Sequence, residues 1–336
     1  MILYKVVKFY VKTGLHLFYK NIRVSGKENI PKNGPILFVA NHQNAMMDPL
    51  VVATATNNTM YFLARASAFK KKIASKLLRS IHAIAIYRVR DGVNSKALNE
   101  AVFNECLGLF NENKNILIFP EGSHSQKRQV RSLRAGFVRM TIDYLIANPT
   151  KNLKIVPVGL NYSDTFNYAE KLHVVFGEPI NSRQFFNEDD INTSRSKLIN
   201  EVHQKLKNVT VHIDSENYEN VYASLTKEDF LNPIATNKKI DNEIATPKNN
   251  KQKKKNIFYY LLILNSIVPF LIWGWLKPKI KELEFISTAK FSLGLTIFPI
   301  NYFIQTIFIN AFFGNVIAFT YVLFTFILVF LSTKTR

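Results

Sequence analysis

Apolar and polar positions follow three different rhythms along this chain. In residues 1–20, Lys5, Lys8, Lys12 and His16 recur at three- and four-residue steps in an otherwise apolar and aromatic run, which is helical order. A narrow cationic stripe on such a helix suits a membrane interface, with the cations toward the headgroups. A helix packed on protein with its lysines in water carries the same pattern. Lysines interrupt every would-be apolar core here, so the stretch does not read as a secretory signal. From 21 to 225 the rhythm is one of short apolar runs bounded by polar residues. Residues 22–26 read as an edge strand and turn, and 36–40, 60–64, 83–87, 116–119, 154–160 and 173–176 as strands. Helical spacing occupies 49–55, 95–110 and 193–207. Strands alternating with helices predict an α/β domain with helices over the sheet.

Residues 226–256 form a polar, basic linker. From 232 onward it is rich in Lys, Asn and Thr and nearly free of aromatics, a composition whose default is disorder. Beyond it the chain is apolar. Residues 257–276 carry no charge, and about 20 such residues cross a bilayer core of about 30 Å. Residues 291–333 are also uncharged, which is room for two spans joined by a tight turn near 310–315. Lys251–Lys255 precede the first run, Lys277, Lys279, Lys281 and Lys290 follow it, and Lys334 and Arg336 lie beyond the last. One crossing by the first run would put its following positive loop on the wrong side. The expectation is therefore a re-entrant segment bending at Pro269 or Gly274, then a two-span hairpin, with all basic clusters cytoplasmic. Three plain crossings with one violation are the alternative. Four parts result: 1–20, an interfacial helix; 21–225, the α/β domain; 226–256, the linker; 257–336, membrane-embedded helices.

Charge narrows the partners. The net charge of +20 over 336 residues suits an anionic membrane surface, a phosphorylated substrate or nucleic acid. Long apolar runs, dense aromatics and the lack of any nucleic-acid module signature exclude the last. Between Asp48 and Asp91 there is no carboxylate, while Arg65, Lys70, Lys71, Lys72, Lys76, Arg79, Arg88 and Arg90 fall there. A single-sign field of this size implies an anionic partner. Cys106 is the single cysteine, which excludes an internal disulfide and a cysteine zinc site. It shares a spacing with Leu98, Val102 and Phe110, so it faces a core.

Candidate chemistry clusters at four strand ends: Asn41-His42 with Asp48, Tyr87-Arg88-Val89-Arg90, Phe119-Pro120-Glu121-Gly122-Ser123-His124-Ser125, and Val156-Pro157-Val158-Gly159. Carboxyl ends of strands in open α/β sheets converge on one crevice. A histidine there with an acid in reach can act as a general base held by a carboxylate. After Gly122 come Lys127, Arg128, Arg131 and Arg134, with no acid until Asp143. This run reads as an anion clamp with backbone N–H groups adding donors, or as a plain cationic surface. His82, His173, His203 and His212 read as structural. In order and spacing the four clusters resemble the glycerophospholipid acyltransferase family, the enzymes that esterify glycerol 3-phosphate and 1-acylglycerol 3-phosphate. The resemblance runs from Gly26 to Pro179. Two departures stand out: His124 occupies a position where arginine is usual, and five residues separate His42 from Asp48 instead of four, a mark of one branch. Positions six apart on one helix differ by about 240°. His42 is therefore expected in the loop before the helix, or at a turn that bulges by one residue.

The resemblance implies a mixed, mostly parallel sheet flanked by helices and an integral membrane protein with its site facing the cytoplasm. It implies direct acyl transfer from acyl-CoA or acyl carrier protein, the donor cosubstrate, with no cofactor and no metal. His42 would be the base and Asp48 would fix its tautomer. Arg88 would grip the acceptor phosphate, helped by Lys127 and Arg128. Glu121 would accept a hydrogen bond from a substrate hydroxyl or steady the N–H groups of Gly122 and Ser123, and Pro157 would shape the wall for the thioester. The acceptor would be glycerol 3-phosphate or 1-acylglycerol 3-phosphate. Alternatives are another lysolipid (a lysophospholipid or an aminolipid), or a lipid-binding scaffold without turnover, to which the altered His–Asp spacing lends its weight.

Overall fold

The structure is a computed structural model that describes residues 2–87, 94–214, 216–242 and 256–336. In chain order the elements are α1 (Ile2–Phe18), β1 (Asn21–Ser25), β2 (Ile36–Ala40), α2 (Met47–Ala55), β3 (Met60–Arg65), α3 (Lys72–Ser80), β4 (Ala83–Ile86), α4 (Ser95–Asn111) and β5 (Asn115–Ile118). Then follow α5 (Gly136–Ala147), β6 (Lys154–Tyr162), β7 (Lys171–Phe176), β8 (Ile180–Asn181), α6 (Ile191–Val209), α7 (Tyr218–Ser224), α8 (Pro233–Asp241), α9 (Ile257–Asn265), α10 (Ile267–Leu276), α11 (Phe285–Leu295) and α12 (Ile297–Lys334).

Among the described residues the sheet has eight strands in the order β1-β7-β6-β2-β5-β3-β4, with β8 also on β6. Pairing is parallel from β6 through β2, β5 and β3 to β4, and between β1 and β7; β6 is antiparallel to β7 and β8. The sheet is mixed and mostly parallel, as expected. All five residues of β2 are buried, because alternate side chains feed two cores. Ile36, Phe38 and Ala40 join α1 and α2 on one face, and Leu37 and Val39 join α4, α5 and α6 on the other. Cys106 is fully buried in the second core. Gly159 permits a close crossing there, since a Cβ would lie 1.8 Å from the Val209 carbonyl oxygen.

Several expectations need correction. The helices α3 and α5 had no reading as helices, and the region taken as a linker includes α8. Thr236 of α8 is buried and donates to the Asp229 carbonyl at 2.7 Å, and α8 adjoins a small core of Val211, Ile213, Leu225 and Phe230. The linker's 243–255 portion lies outside the described residues. The first apolar run bends by 89°, but at Ser266, between α9 and α10. Pro269 does not make the break. It sits in the first turn of α10, where a missing N–H costs no helical hydrogen bond.

By length and composition, the stretch Phe285–Lys334 is long and apolar enough to cross a membrane. It does not run straight. Gly314 has φ 80° and ψ 172°, and the Tyr321 hydroxyl donates to Gln305 Oε1 at 2.7 Å. Sixteen residues of straight helix would hold those Cα atoms about 24 Å apart, so α12 folds back at Gly314 into a hairpin. Its end docks on α1: Lys334 Nζ donates to the carbonyls of His16, Tyr19 and Lys20 at 2.8, 2.9 and 2.9 Å, a cation at a helix C-terminus. Helix α1 buries Tyr4, Val11, Leu15 and Phe18, and leaves Ile2, Leu3, Val6 and Phe9 exposed. Of its cationic stripe, Lys8 is drawn inward to the Asn58 carbonyl at 2.9 Å.

Candidate active site

Strand β2 ends at Ala40, and the next residue replaces the ladder with its side chain. Asn41 Oδ1 accepts from the Leu160 N–H at 2.7 Å and its Nδ2 donates to the Leu160 carbonyl at 3.1 Å. His42 stands in the loop before α2. Its Nδ1 lies 2.7 Å from Asp48 Oδ2, in the first turn of α2. The backbone N–H groups of Gln43 and Asn44 donate to the same oxygen at 2.9 and 2.8 Å, and Tyr162 donates its hydroxyl to Oδ1 at 2.6 Å. The loop thus wraps the carboxylate, with Ala45 turning at φ +36°. Asp48 is fully buried while the His42 side chain keeps 17% exposure. His42 stacks on Phe119 at 4.3 Å between centroids, and its Nε2 has no protein partner among the described residues. Such an imidazole, one nitrogen fixed and the other open, is set up to accept a proton.

The turn after β5 lies alongside. Ser125 donates its N–H to the His42 carbonyl at 3.0 Å, and the His124 ring meets the His42 ring edge-on at 5.7 Å. Gly122 turns the chain at φ +72° with its N–H on the Phe119 carbonyl at 3.2 Å. Glu121 is buried. Its Oε2 accepts from Arg131 Nη2 and Nε at 2.6 and 3.0 Å, while Oε1 is buried without a partner. Burial pushes this carboxyl above the ordinary carboxylate range, and Arg131 pulls it part-way back. Arg131 also donates to Ser123 Oγ at 2.8 Å. Across the mouth, His124 Nε2 lies 3.0 Å from Glu282 Oε2, and Phe285 of α11 meets the His124 ring edge-on at 5.5 Å.

The structure therefore brings His42, Asp48, Glu121, Gly122 and Ser123 together, and moves three other candidates away. Arg128 is buried, with Nη1 on Gln43 Oε1 at 2.9 Å and its guanidinium over Phe230 at 4.5 Å. It braces the loop after His42 from behind, because an apolar ring and a neutral amide are what its burial offers. Lys127 swings over the Tyr218 ring at 5.3 Å. Pro157 is buried within β6 opposite Val39, and its ring lies 2.8 Å from where a Cβ on Gly177 would sit. It packs inside the sheet, where strand alternation directs it. Arg88 lies outside the described residues. Arg134 is exposed, its Cγ 3.3 Å from the Cβ position of Gly122, and its guanidinium has no partner among the described residues.

Two contributors escaped the sequence reading, Tyr162 and Gln43. Tyr162 is 114 residues from Asp48, with no local pattern to reveal it. Gln43 follows His42 and ties its loop to the basic run, since its Nε2 donates to the Lys127 carbonyl at 3.3 Å. The remaining histidines are structural, as expected: His82 is stacked between Tyr4 and Tyr61, each at 4.5 Å, and His173 bonds Ser25 Oγ and the Leu231 carbonyl. Among the described residues no cluster of three or more His, Cys, Asp or Glu could hold a metal ion.

Residues 21–161 match the Acyltransferase family model. That segment is an acyltransferase-family domain. Glycerol-3-phosphate O-acyltransferase 1 of Saccharomyces cerevisiae is 22% identical over 62% of this chain and 39% of its own length. The 1-acyl-sn-glycerol-3-phosphate acyltransferase of Borreliella burgdorferi is 27% identical over 46% of this chain and 57% of its own. The chain thus spans about two-fifths to somewhat over half the length of these relatives. The crystal structure of the 1-acyl-sn-glycerophosphate acyltransferase from Thermotoga maritima aligns with a TM-score of 0.44 at 19% identity, over 61% of this chain and 79% of that one. The matched segment contains every site residue expected from the sequence, from His42 to Pro157, and stops one residue before Tyr162.

Proposed function

We propose that this protein transfers a fatty acyl group from acyl-CoA or acyl carrier protein to a hydroxyl of glycerol 3-phosphate or 1-acylglycerol 3-phosphate. The observation that carries the reading is the His42–Asp48 pair at 2.7 Å, with Nε2 open beside the turn at Gly122. Asp48 holds the proton on Nδ1 and stabilises the imidazolium. Nε2 takes the hydroxyl proton as that oxygen attacks the thioester carbonyl. The tetrahedral intermediate expels the thiolate, and the imidazolium returns the proton to sulfur. Arg134, whose guanidinium has no partner among the described residues and lies beside Gly122, takes the phosphate-gripping role first given to Lys127 and Arg128, together with Arg88. Purified protein in detergent with labelled acyl-CoA, offered glycerol 3-phosphate, lysophosphatidate and neutral or zwitterionic lysolipids, tests this. We expect product with a phosphate acceptor and a loss of about 10²–10⁴-fold in His42→Ala. Product only with other lysolipids transfers the activity to them. No product with any acceptor leaves a scaffold, although the closed His42–Asp48 pair removes that reading's main support.

The same proposal extends to the membrane. Residues 1–20 lie in the interface with the exposed face of Ile2, Val6 and Phe9 toward lipid, and 257–336 are embedded, with the site on the cytoplasmic side. In support, the ends of the two apolar units meet each other, the domain and α1. Asn256 bonds Thr335, Glu282 reaches His124 and Lys334 caps α1. A cysteine at Lys279 should resist an impermeant thiol reagent in intact cells and react after permeabilisation; reaction in intact cells would overturn this arrangement. Background is low, because Cys106 is buried and its thiol is pushed up to about 12.

A further inference from the structure

A cavity of about 630 Å³ lies between α1, α10, α11 and the α12 hairpin, within the size range of small-ligand sites. Its walls are mainly apolar and aromatic, among them Leu17, Phe18, Trp273, Phe298 and Phe326. Two cations also line it, Lys290 and Arg336, and no aspartate or glutamate does. Lys290 Nζ donates to the Phe166 carbonyl at 2.7 Å and sits over the Trp273 ring. Arg336 Nη1 reaches the Tyr168 carbonyl at 3.4 Å, the guanidinium lies over Tyr259, and its Nε is buried without a partner. Both cations thus rest on the same β6–β7 loop. The two acids of that loop, Asp164 and Glu170, are both held by Lys227 at 2.9 Å. Among the described residues these two cations hydrogen-bond and stack only on neutral carbonyls and rings, and Asp164 nearby is engaged by Lys227, so neither has an ion-pair partner of the kind that burial normally demands.

We propose that this cavity binds an amphiphile with an anionic head, phosphate or carboxylate, on an acyl chain. The head meets Lys290 and Arg336, and the chain runs between Phe298 and Phe326. This is a lipid site separate from the reacting groups. Its lining on α11 runs from Lys290 to Leu295, whereas His124 meets Phe285 at the other end of that helix, five residues or about 7.5 Å before Lys290. It rests on the cavity and its charges and does not require that acyl transfer take place.

The chain has two tryptophans, Trp273 in the cavity and Trp275 outside its lining. In full-length Trp275→Phe protein in detergent, Trp273 therefore reports occupancy. Acyl-brominated lysophosphatidate or fatty acid should quench it saturably, about tenfold more tightly than brominated lysophosphatidylcholine, as one charged hydrogen bond of about 1.5 kcal/mol dictates. The tighter of the two anionic probes names the head. Lys290→Met combined with Arg336→Gln should abolish the preference, and Lys290→Arg should retain it. His42→Ala should bind unchanged, which separates failure of this site from failure of the catalytic reading. Equal quenching by anionic and zwitterionic probes overturns the proposal. So does a preference that survives the double variant, or displacement by glycerol 3-phosphate, which has no chain.

Discussion

Two buried carboxylates flank His42, and the protein treats them differently. Asp48 accepts four hydrogen bonds, from the His42 ring, two backbone N–H groups and the Tyr162 hydroxyl. Glu121 has one oxygen on Arg131 and the other buried with no partner among the described residues. Asp48 is over-determined: the loop that carries the histidine is shaped by its carboxylate, so position and tautomer are set together. Glu121 is held by one partner and its burial is only partly compensated, which raises its affinity for a proton. The first arrangement fixes a geometry. The second holds the Arg131 guanidinium against Ser123 and leaves an acceptor in reserve at the turn.

Breaking the first arrangement should have the largest effect. Asp48→Asn keeps the shape but removes the charge that three donors share at Oδ2, and puts a donor where Oδ1 now accepts from Tyr162. We expect acyl transfer to fall by about 10³–10⁴-fold, as expected when an imidazole loses the carboxylate that fixes its tautomer, with the melting temperature also lowered. Turnover within tenfold of wild type would mean that Asp48 only shapes the loop. Next in size is Arg131→Ala, which leaves Glu121 buried and unpaired. A destabilisation of about 3 kcal/mol is expected in thermal or urea unfolding, and a change below 1 kcal/mol would indicate that Glu121 takes up a proton instead. Tyr162→Phe removes one donor from Asp48 and leaves three. It should cost about 1–2 kcal/mol and alter turnover far less than Asp48→Asn, and an equal loss of turnover would make Tyr162 an essential part of the dyad.

Smallest is Glu121→Gln. A carboxyl whose folded pKa is raised binds its proton more tightly in the native state. Its stabilising contribution is full below the unfolded pKa, about 4.3, and is lost as pH rises through the raised folded value. The glutamine variant should match wild type within about 0.5 kcal/mol at neutral pH and flatten the stability profile from pH 4 upward. A steep loss of stability at pH 7 would show that the ionised form is needed for the Arg131 pair.

The contrast also explains what could be read in advance. The strands around Ile36–Ala40, 116–119 and 154–160 were legible because buried parallel strands leave unbroken apolar runs. The break near Gly314 was legible for a similar reason, since small and polar residues interrupt a long apolar stretch there. The fate of the basic run was not. Lys127, Arg128, Arg131 and Arg134 look alike in sequence, yet one covers Tyr218, one is buried on Gln43, one is engaged by Glu121 and one is left free. Which cation is spent internally depends on neighbours contributed by α7, by Phe230 and by the loop after β2. Likewise, Pro269 and Gly274 looked like the hinges of the first apolar run, but the break falls at Ser266, and a proline in the first turn of a helix starts it and does not bend it.

The sequence by itself determined the α/β pattern, the apolar C-terminal elements and the candidacy of His42 and Asp48, six residues apart, because periodicity and short spacing are local properties. Only the tertiary structure decided that the loop turns at Ala45 to bring His42 onto Asp48, that Tyr162 completes the shell of Asp48, and that Lys290 and Arg336 face an apolar cavity. Each of those joins groups far apart in the chain or trades a backbone angle against several hydrogen bonds at once. Such exchanges are decided by the whole set of partners that folding assembles.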